Sequence, residues 1–125
     1  MIVGIGCDLC ETARMEKLLE DGRFLQRYFA PEEQAYIQDR GKMAASSMAA
    51  AFAAKEAFVK ALGTGFQDID PAEIVILHDK YGKPYYAPVG RAAAHASQLC
   101  ITSLHLSLSH ENGMALAFAI AERNT

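Results

Sequence analysis

Residues 43–62 read MAASSMAAAFAAKEAFVKAL. The run holds neither Gly nor Pro and is rich in Ala, the best helix former, so it predicts one long helix. Gly63-Thr64-Gly65 stops it. Before it, Ile2-Val3-Gly4-Ile5-Gly6-Cys7 is β-branched and predicts a strand that ends at Asp8. Glu11 to Glu20 predicts a helix, with Met15, Leu18 and Leu19 on one side and Asp21-Gly22 as the stop. Arg23 to Phe29 is a second possible helical stretch. Pro31 followed by Glu32 and Glu33 is a helix-start signal for Pro31 to Arg40.

After the long helix, Glu73 to His78 predicts a strand, Lys80 to Lys83 a turn, and Pro84-Tyr85-Tyr86 the returning strand. Gly90 to Leu99 predicts an Ala-rich helix. Leu104, Leu106 and Leu108 alternate with His105, Ser107 and Ser109, the period of a half-buried strand. Asn112-Gly113 turns that strand into Met114 to Ala121. The order β-α-α-α-β-β-α-β-β predicts an α+β fold with an antiparallel sheet and one long central helix.

The 125 residues fit one domain, residues 1–125. Apolar residues make up 51% and charged residues 22%, a globular balance that excludes disorder for most of the chain. A net charge of −3 argues against non-specific nucleic-acid binding. The Ala-rich stretch is too short to span a bilayer, for which about 20 apolar residues are needed. Met1 leads into Asp8 without a basic region or a cleavage pattern, and three cysteines are few and odd in number. A cytoplasmic protein with no membrane partner is expected.

Glu56 and Lys60 are four apart and share a side of the long helix. Alone they are an ordinary helix pair. Asp8 closes an apolar strand, and alone it is a strand-end or capping carboxylate. Brought together, two carboxylates and a lysine suit Mg²⁺ and a phosphate. Cys7-Asp8-Leu9-Cys10 has the C-x-x-C spacing, but Cys100 has no nearby pair, so buried free cysteine is the default over zinc or redox chemistry. His110 and His105 are either surface residues or groups that bind a phosphate or move a proton. No G-x-S-x-G elbow is present.

These pieces in order resemble the holo-acyl-carrier-protein synthase family. The resemblance rests on Gly4-Ile5-Gly6-Cys7-Asp8, on Phe52-Ala53-Ala54-Lys55-Glu56 through Lys60 to Gly63-Thr64-Gly65, and on Ser107-Leu108-Ser109-His110. Gly82-Lys83-Pro84 and the stretch of Arg23, Phe24, Arg27 and Phe29 add to it. It implies transfer of the 4′-phosphopantetheine arm of coenzyme A to a serine of apo-acyl carrier protein, with release of adenosine 3′,5′-bisphosphate. It implies Mg²⁺ on Asp8 and Glu56, Lys60 on the coenzyme A phosphates, and His110 close to the adenosine 3′-phosphate. It also implies a homotrimer, in which one subunit supplies the metal carboxylates and another completes the coenzyme A pocket. Acidic carrier protein would dock on Arg14 of a basic first helix, with Arg23 and Arg27 contributing. A base is needed for the carrier serine; Glu33 is the candidate, with a water molecule at the metal as the alternative.

One departure stands out. Many members of the family carry an Arg before the Phe of F-A-A-K-E, where it contacts the coenzyme A 3′-phosphate, and this chain has Ala51 there. Loss of a charge-assisted hydrogen bond of about 1.5–3 kcal/mol weakens coenzyme A binding about ten- to a hundredfold unless another cation, such as Lys42, compensates. A carrier-protein-binding paralogue with weak coenzyme A affinity is the alternative that Ala51 raises.

Overall fold

In the computed structural model, which describes residues 1–124, a three-stranded antiparallel sheet carries one long helix across its inner face. The sheet is formed by β1 (Ile2–Glu11), β4 (Ser103–Glu111) and β5 (Met114–Glu122), in the order β1-β5-β4. Between β1 and the long helix α4 (Ala44–Leu62) stand three short helices, α1 (Thr12–Leu19), α2 (Arg23–Tyr28) and α3 (Pro31–Gln38). After α4 come a two-stranded hairpin of β2 (Ile76–His78) and β3 (Pro84–Tyr86), and then α5 (Gly90–Gln98). The α+β class and the antiparallel sheet around a 19-residue helix match the expectation.

The helix and the sheet meet through very small residues. Ala115, Ala117, Ala119 and Ala121 alternate along β5 and are fully buried, as are Ala49, Ala53, Ala54 and Ala57 on α4. On β1 the approach is closer still. A methyl group on Gly4 would strike the carbonyl oxygen of Ala61, and one on Gly6 that of Ala57. The glycines are therefore what let backbone lie on backbone. Larger side chains fill the other sides of α4, with Met15, Phe29, Ile37, Met48, Phe58 and Ile74 all buried. The Tyr86 hydroxyl donates to the Ala54 carbonyl at 2.6 Å, and burial pushes its ionisation far above the ordinary range. This dense packing fixes where each face of α4 points.

Two expected boundaries move. Strand β1 continues past Asp8 to Glu11, because β5 pairs with it along its length, Asp8 opposite Ala117 and Glu11 opposite Met114. The strand expected over 73–78 shrinks to Ile76–His78, preceded by a 3₁₀ turn at Pro71–Glu73. That turn is locked by Asp70, whose carboxylate accepts from the Ala72 amide at 3.0 Å, and by Glu73, which accepts from the Asp70 amide at 3.1 Å. The carbonyls of Pro71 and Ile74 are taken by Lys55 instead of by a neighbouring strand. At the other end of the fold, Asn112 and Gly113 both have positive φ, as a two-residue hairpin turn requires.

Candidate active site

Strand alternation decides what β1 delivers. Ile5, Cys7 and Leu9 point to the outer face, while Gly4, Gly6, Asp8 and Cys10 point toward α4. The two thiols of the C-x-x-C stretch thus lie on opposite faces. Cys7 is exposed, Cys10 is buried with its ionisation pushed up by burial, and all three cysteines are free. Asp8, on the inner face just beyond the glycine contact, meets the side of α4 that carries Glu56 and Lys60.

Asp8, Glu56 and Lys60, far apart in the chain, converge there. Lys60 Nζ donates to Asp8 Oδ1 and to the Cys7 carbonyl, both at 3.0 Å. The Asp8 side chain is only 13% exposed, whereas Lys60 is 54% exposed, so the ammonium faces outward over the carboxylate. The hydrogen bond with Asp8 is the main cause that raises the Lys60 ionisation, and the group stays charged. Glu56 is the other carboxyl beside Asp8. Burial first, then the side-chain interaction with Asp8 and its charge, push its carboxyl up to about 7. Lys60 and Arg14 pull it back only in part. Two carboxyl groups facing each other near neutrality hold either a proton or a cation between them.

Glu56 opens into a cleft of about 730 Å³. Arg14, Phe24, Arg27, Phe52 and Phe66 line it. The Arg14 guanidinium lies 5.7 Å from the centre of the Phe52 ring. Arg27 pairs with Asp70 at 3.0 Å across the cleft wall. Arg23, by contrast, pairs with Asp21 of the preceding turn at 3.0 Å and is not part of the lining.

His110 lies elsewhere, at the end of β4, where its Nδ1 is 3.0 Å from Ser46 Oγ of α4. It borders a second cavity of about 250 Å³ together with Arg40 and Ala51. The two cavities share no lining residue. His105 is on the outer face of the sheet, paired with Glu122 at 2.9 Å.

Glu33 does not have the surroundings of a base. Its side chain is 1% exposed, and Lys55, next to Glu56 on α4, donates to its Oε1 at 2.8 Å. The same oxygen accepts from the Ala30 amide at 2.9 Å, and Oε2 accepts from the Ile76 amide at 3.1 Å. Lys55, fully buried, gives its other two hydrogen bonds to the Pro71 and Ile74 carbonyls, each 2.8 Å away. Burial pushes the Glu33 carboxyl up and the Lys55 amine down, and their mutual attraction opposes both shifts. With both oxygens engaged and the side chain buried, Glu33 is not free to accept a serine proton. Its acidic place at a helix start suggested chemistry, while its partner, 22 residues away, was hidden in the local sequence.

The residues fit a divalent cation of one kind. Among the described residues no three acidic, histidine or cysteine side chains gather as a metal cage. Two adjacent carboxylates are nonetheless a common protein share for Mg²⁺, which keeps several waters and takes its remaining ligands from substrate phosphates.

Comparison with known proteins bears on this geometry directly. Residues 4–119 match the family model of the 4′-phosphopantetheinyl transferase superfamily. The holo-[acyl-carrier-protein] synthase of Trichlorobacter lovleyi is 50% identical over 125 residues, covering 98% of each chain. The crystal structure of the Neisseria meningitidis holo-[acyl-carrier-protein] synthase superposes with a TM-score of 0.89 at 36% identity, covering 98% of this chain and 100% of that one. The Bacillus anthracis holo-(acyl-carrier-protein) synthase, solved in complex with coenzyme A (3′,5′-ADP), gives a TM-score of 0.82 at 32% identity and 99% coverage of both chains. Sequence and fold agree over nearly the whole length, and the chain belongs to the holo-acyl-carrier-protein synthases of the 4′-phosphopantetheinyl transferase superfamily.

Proposed function

We propose that Asp8, Glu56 and Lys60 carry a Mg²⁺-dependent transfer of the 4′-phosphopantetheine arm of coenzyme A to a serine of apo-acyl carrier protein. The observation that carries this reading is the convergence of Asp8 and Glu56 beside an outward-facing Lys60, whose Nζ is 3.0 Å from Asp8 Oδ1. In the transfer, the serine hydroxyl gives up its proton to water in the cleft as its oxygen bonds to the phosphorus next to the pantetheine. The anhydride bond to the adenosine-side phosphate breaks, and adenosine 3′,5′-bisphosphate leaves.

Phosphoryl transfer needs mainly positioning and charge neutralisation. Mg²⁺, when bound, supplies neutralisation of the diphosphate oxygens. Asp8 and Glu56 would hold it, and Glu56 must release its proton to do so. Lys60 places a permanent positive charge over the same spot and steadies Asp8 through their hydrogen bond. Arg14, on the rim of the same cleft, is placed to meet an acidic carrier, with Arg27 beside it and Arg23 further out. Glu33 and Lys55 act as positioning residues. They tie α3 and the 71–76 segment to α4 immediately beside Glu56.

The working unit is a homotrimer, supported by the outer face of the sheet. Ile5 and Leu9 are 59% and 60% exposed there, and Phe118 of the neighbouring strand is 40% exposed. Such an apolar patch is characteristic of an interface. Separate cavities for Glu56 and for His110 suit active sites completed between subunits. The 125 residues act as one transferase domain, and no helix among the described residues is long and apolar enough to cross a membrane.

Intact mass spectrometry of apo-acyl carrier protein incubated with this protein, coenzyme A and Mg²⁺ tests the proposal, with EDTA as control. A gain of one phosphopantetheine arm that EDTA prevents is expected. No gain at saturating coenzyme A favours the carrier-binding paralogue.

A further inference from the structure

An acidic carrier needs free cations at the cleft of Glu56, yet two of the three arginines lining it already hold carboxylates. Arg27 Nη1 donates to both oxygens of Asp70, at 3.0 and 3.1 Å. Arg91 Nη1 donates to Asp68 at 2.8 Å. Arg14 is the third, and the ion pairs among the described residues do not include it. An incoming acid therefore meets Arg14 directly, but at Arg27 it must displace a carboxylate of this chain.

The Arg27–Asp70 pair is built so that one partner leaves and the other stays. The two side chains are 59% and 41% exposed, so opening the pair strands no buried charge. Asp70 is fixed independently of Arg27. Its Oδ1 also accepts from the Ala72 amide at 3.0 Å, and its own amide donates to Glu73 Oε1 at 3.1 Å. Lys55 holds the next carbonyl, that of Pro71, against α4. Arg27 stands in the last turn of α2, with its guanidinium 5.1 Å from the centre of the Tyr28 ring. Its long stem can turn toward a partner in the cleft, and the capped Asp70 cannot follow.

We propose that Asp70 is a specificity-determining residue for the carrier: it occupies Arg27 as an internal carboxylate, so that only a carrier presenting a competing carboxylate there gains Arg27 as a docking contact. The inference rests on the carrier reading of this cleft. An exposed ion pair is weak, equivalent to at most about fivefold in affinity, so Asp70 sets a threshold and does not block the cleft. Carriers with a well-placed acid exchange it readily. Partners without one are left with Arg14 alone.

Steady-state transfer at low salt, with apo-acyl carrier protein as the varied substrate, tests it. Asp70→Asn keeps a side-chain oxygen for the Ala72 amide and removes the charge. It is expected to lower KM for the carrier about two- to fivefold, with kcat, KM for coenzyme A and the melting temperature unchanged. Asp70→Ser, which caps through its hydroxyl, is expected to behave alike. Arg27→Gln is expected to raise KM for the carrier, and adding Asp70→Asn to Arg27→Gln to bring no gain. A carrier KM that is unchanged or higher in Asp70→Asn overturns the assignment. So does an equal gain with and without Arg27, which makes Asp70 only a charge on the cleft wall. These results are separable from failure of the carrier reading, which appears in the wild-type protein as no arm transferred to the carrier.

Discussion

Lys55 and Glu56 are neighbours in the chain, and they belong to opposite kinds of site. Lys55 turns inward to Glu33, and every donor and acceptor of that pair is satisfied. Glu56 turns to Asp8, a group of its own charge sign, and burial together with that neighbour pushes it up to about 7. A buried pair that balances its own charge has nothing left to bind, and its value is in fixing geometry. A pair of like charges at the floor of an open cleft is incomplete, and it gains most from a cation. One peptide bond thus separates what holds the fold from what does the chemistry.

The sharpest way to break this contrast is to change each neighbour alone. Glu56→Gln is expected to lower transfer by at least about a hundredfold at any Mg²⁺ concentration, since a metal ligand is lost. The melting temperature at pH 8 is expected to stay the same or rise, because a repulsion with Asp8 is removed. A mass-based transfer assay and thermal denaturation on one sample check both halves. Near-wild-type turnover would remove Glu56 from the metal site.

Lys55→Met is expected to do the reverse. It leaves Glu33 buried without its counter-ion, at a cost of about 3–5 kcal/mol in urea unfolding. The loss is expected to shrink in acid. Without Lys55 the Glu33 carboxyl titrates still higher in the folded state than in the unfolded one, so stability declines as pH rises. Turnover per folded molecule is expected to fall less than in Glu56→Gln.

A third test exploits the pH dependence of the open pair. Glu56 in the folded protein holds its proton more tightly than the ordinary carboxyl at 4.5. In EDTA, its contribution to stability is therefore present below about pH 4.5 and lost as pH rises through about 7. Divalent cations compete with that proton, so apparent Mg²⁺ affinity is expected to fall about tenfold per pH unit below the Glu56 ionisation. Thermal shifts with and without Mg²⁺ at pH 5.5 and pH 8 measure this. An equal shift at both values would contradict the coupling.

The smallest effect is expected from Arg14, on the rim of the cleft. Arg14→Glu is expected to raise KM for the carrier by up to about tenfold, most at low salt, with little change for coenzyme A. The opposite pattern would assign Arg14 to the nucleotide.

How much of this could be read beforehand follows from locality. The long helix, the alternating strands and the Asn112-Gly113 turn are short-range patterns, and they stand in the structure nearly where periodicity puts them. Glu56 and Lys60 share a helix side by spacing alone, but only the glycine-mediated contact of β1 with α4 brings Asp8 to them. The Lys55–Glu33 pair was invisible for the same reason, since burial of a charge depends on what packs over it.

The central claim is that the Asp8–Glu56 pair holds a divalent cation. Mn²⁺ binding followed by electron paramagnetic resonance at pH 8, in the presence of adenosine 3′,5′-bisphosphate, tests it most directly on wild-type protein and Glu56→Gln. The account predicts one bound ion per chain in the wild type and at least about a tenfold loss of affinity in the variant. Equal affinity in the two proteins would contradict it.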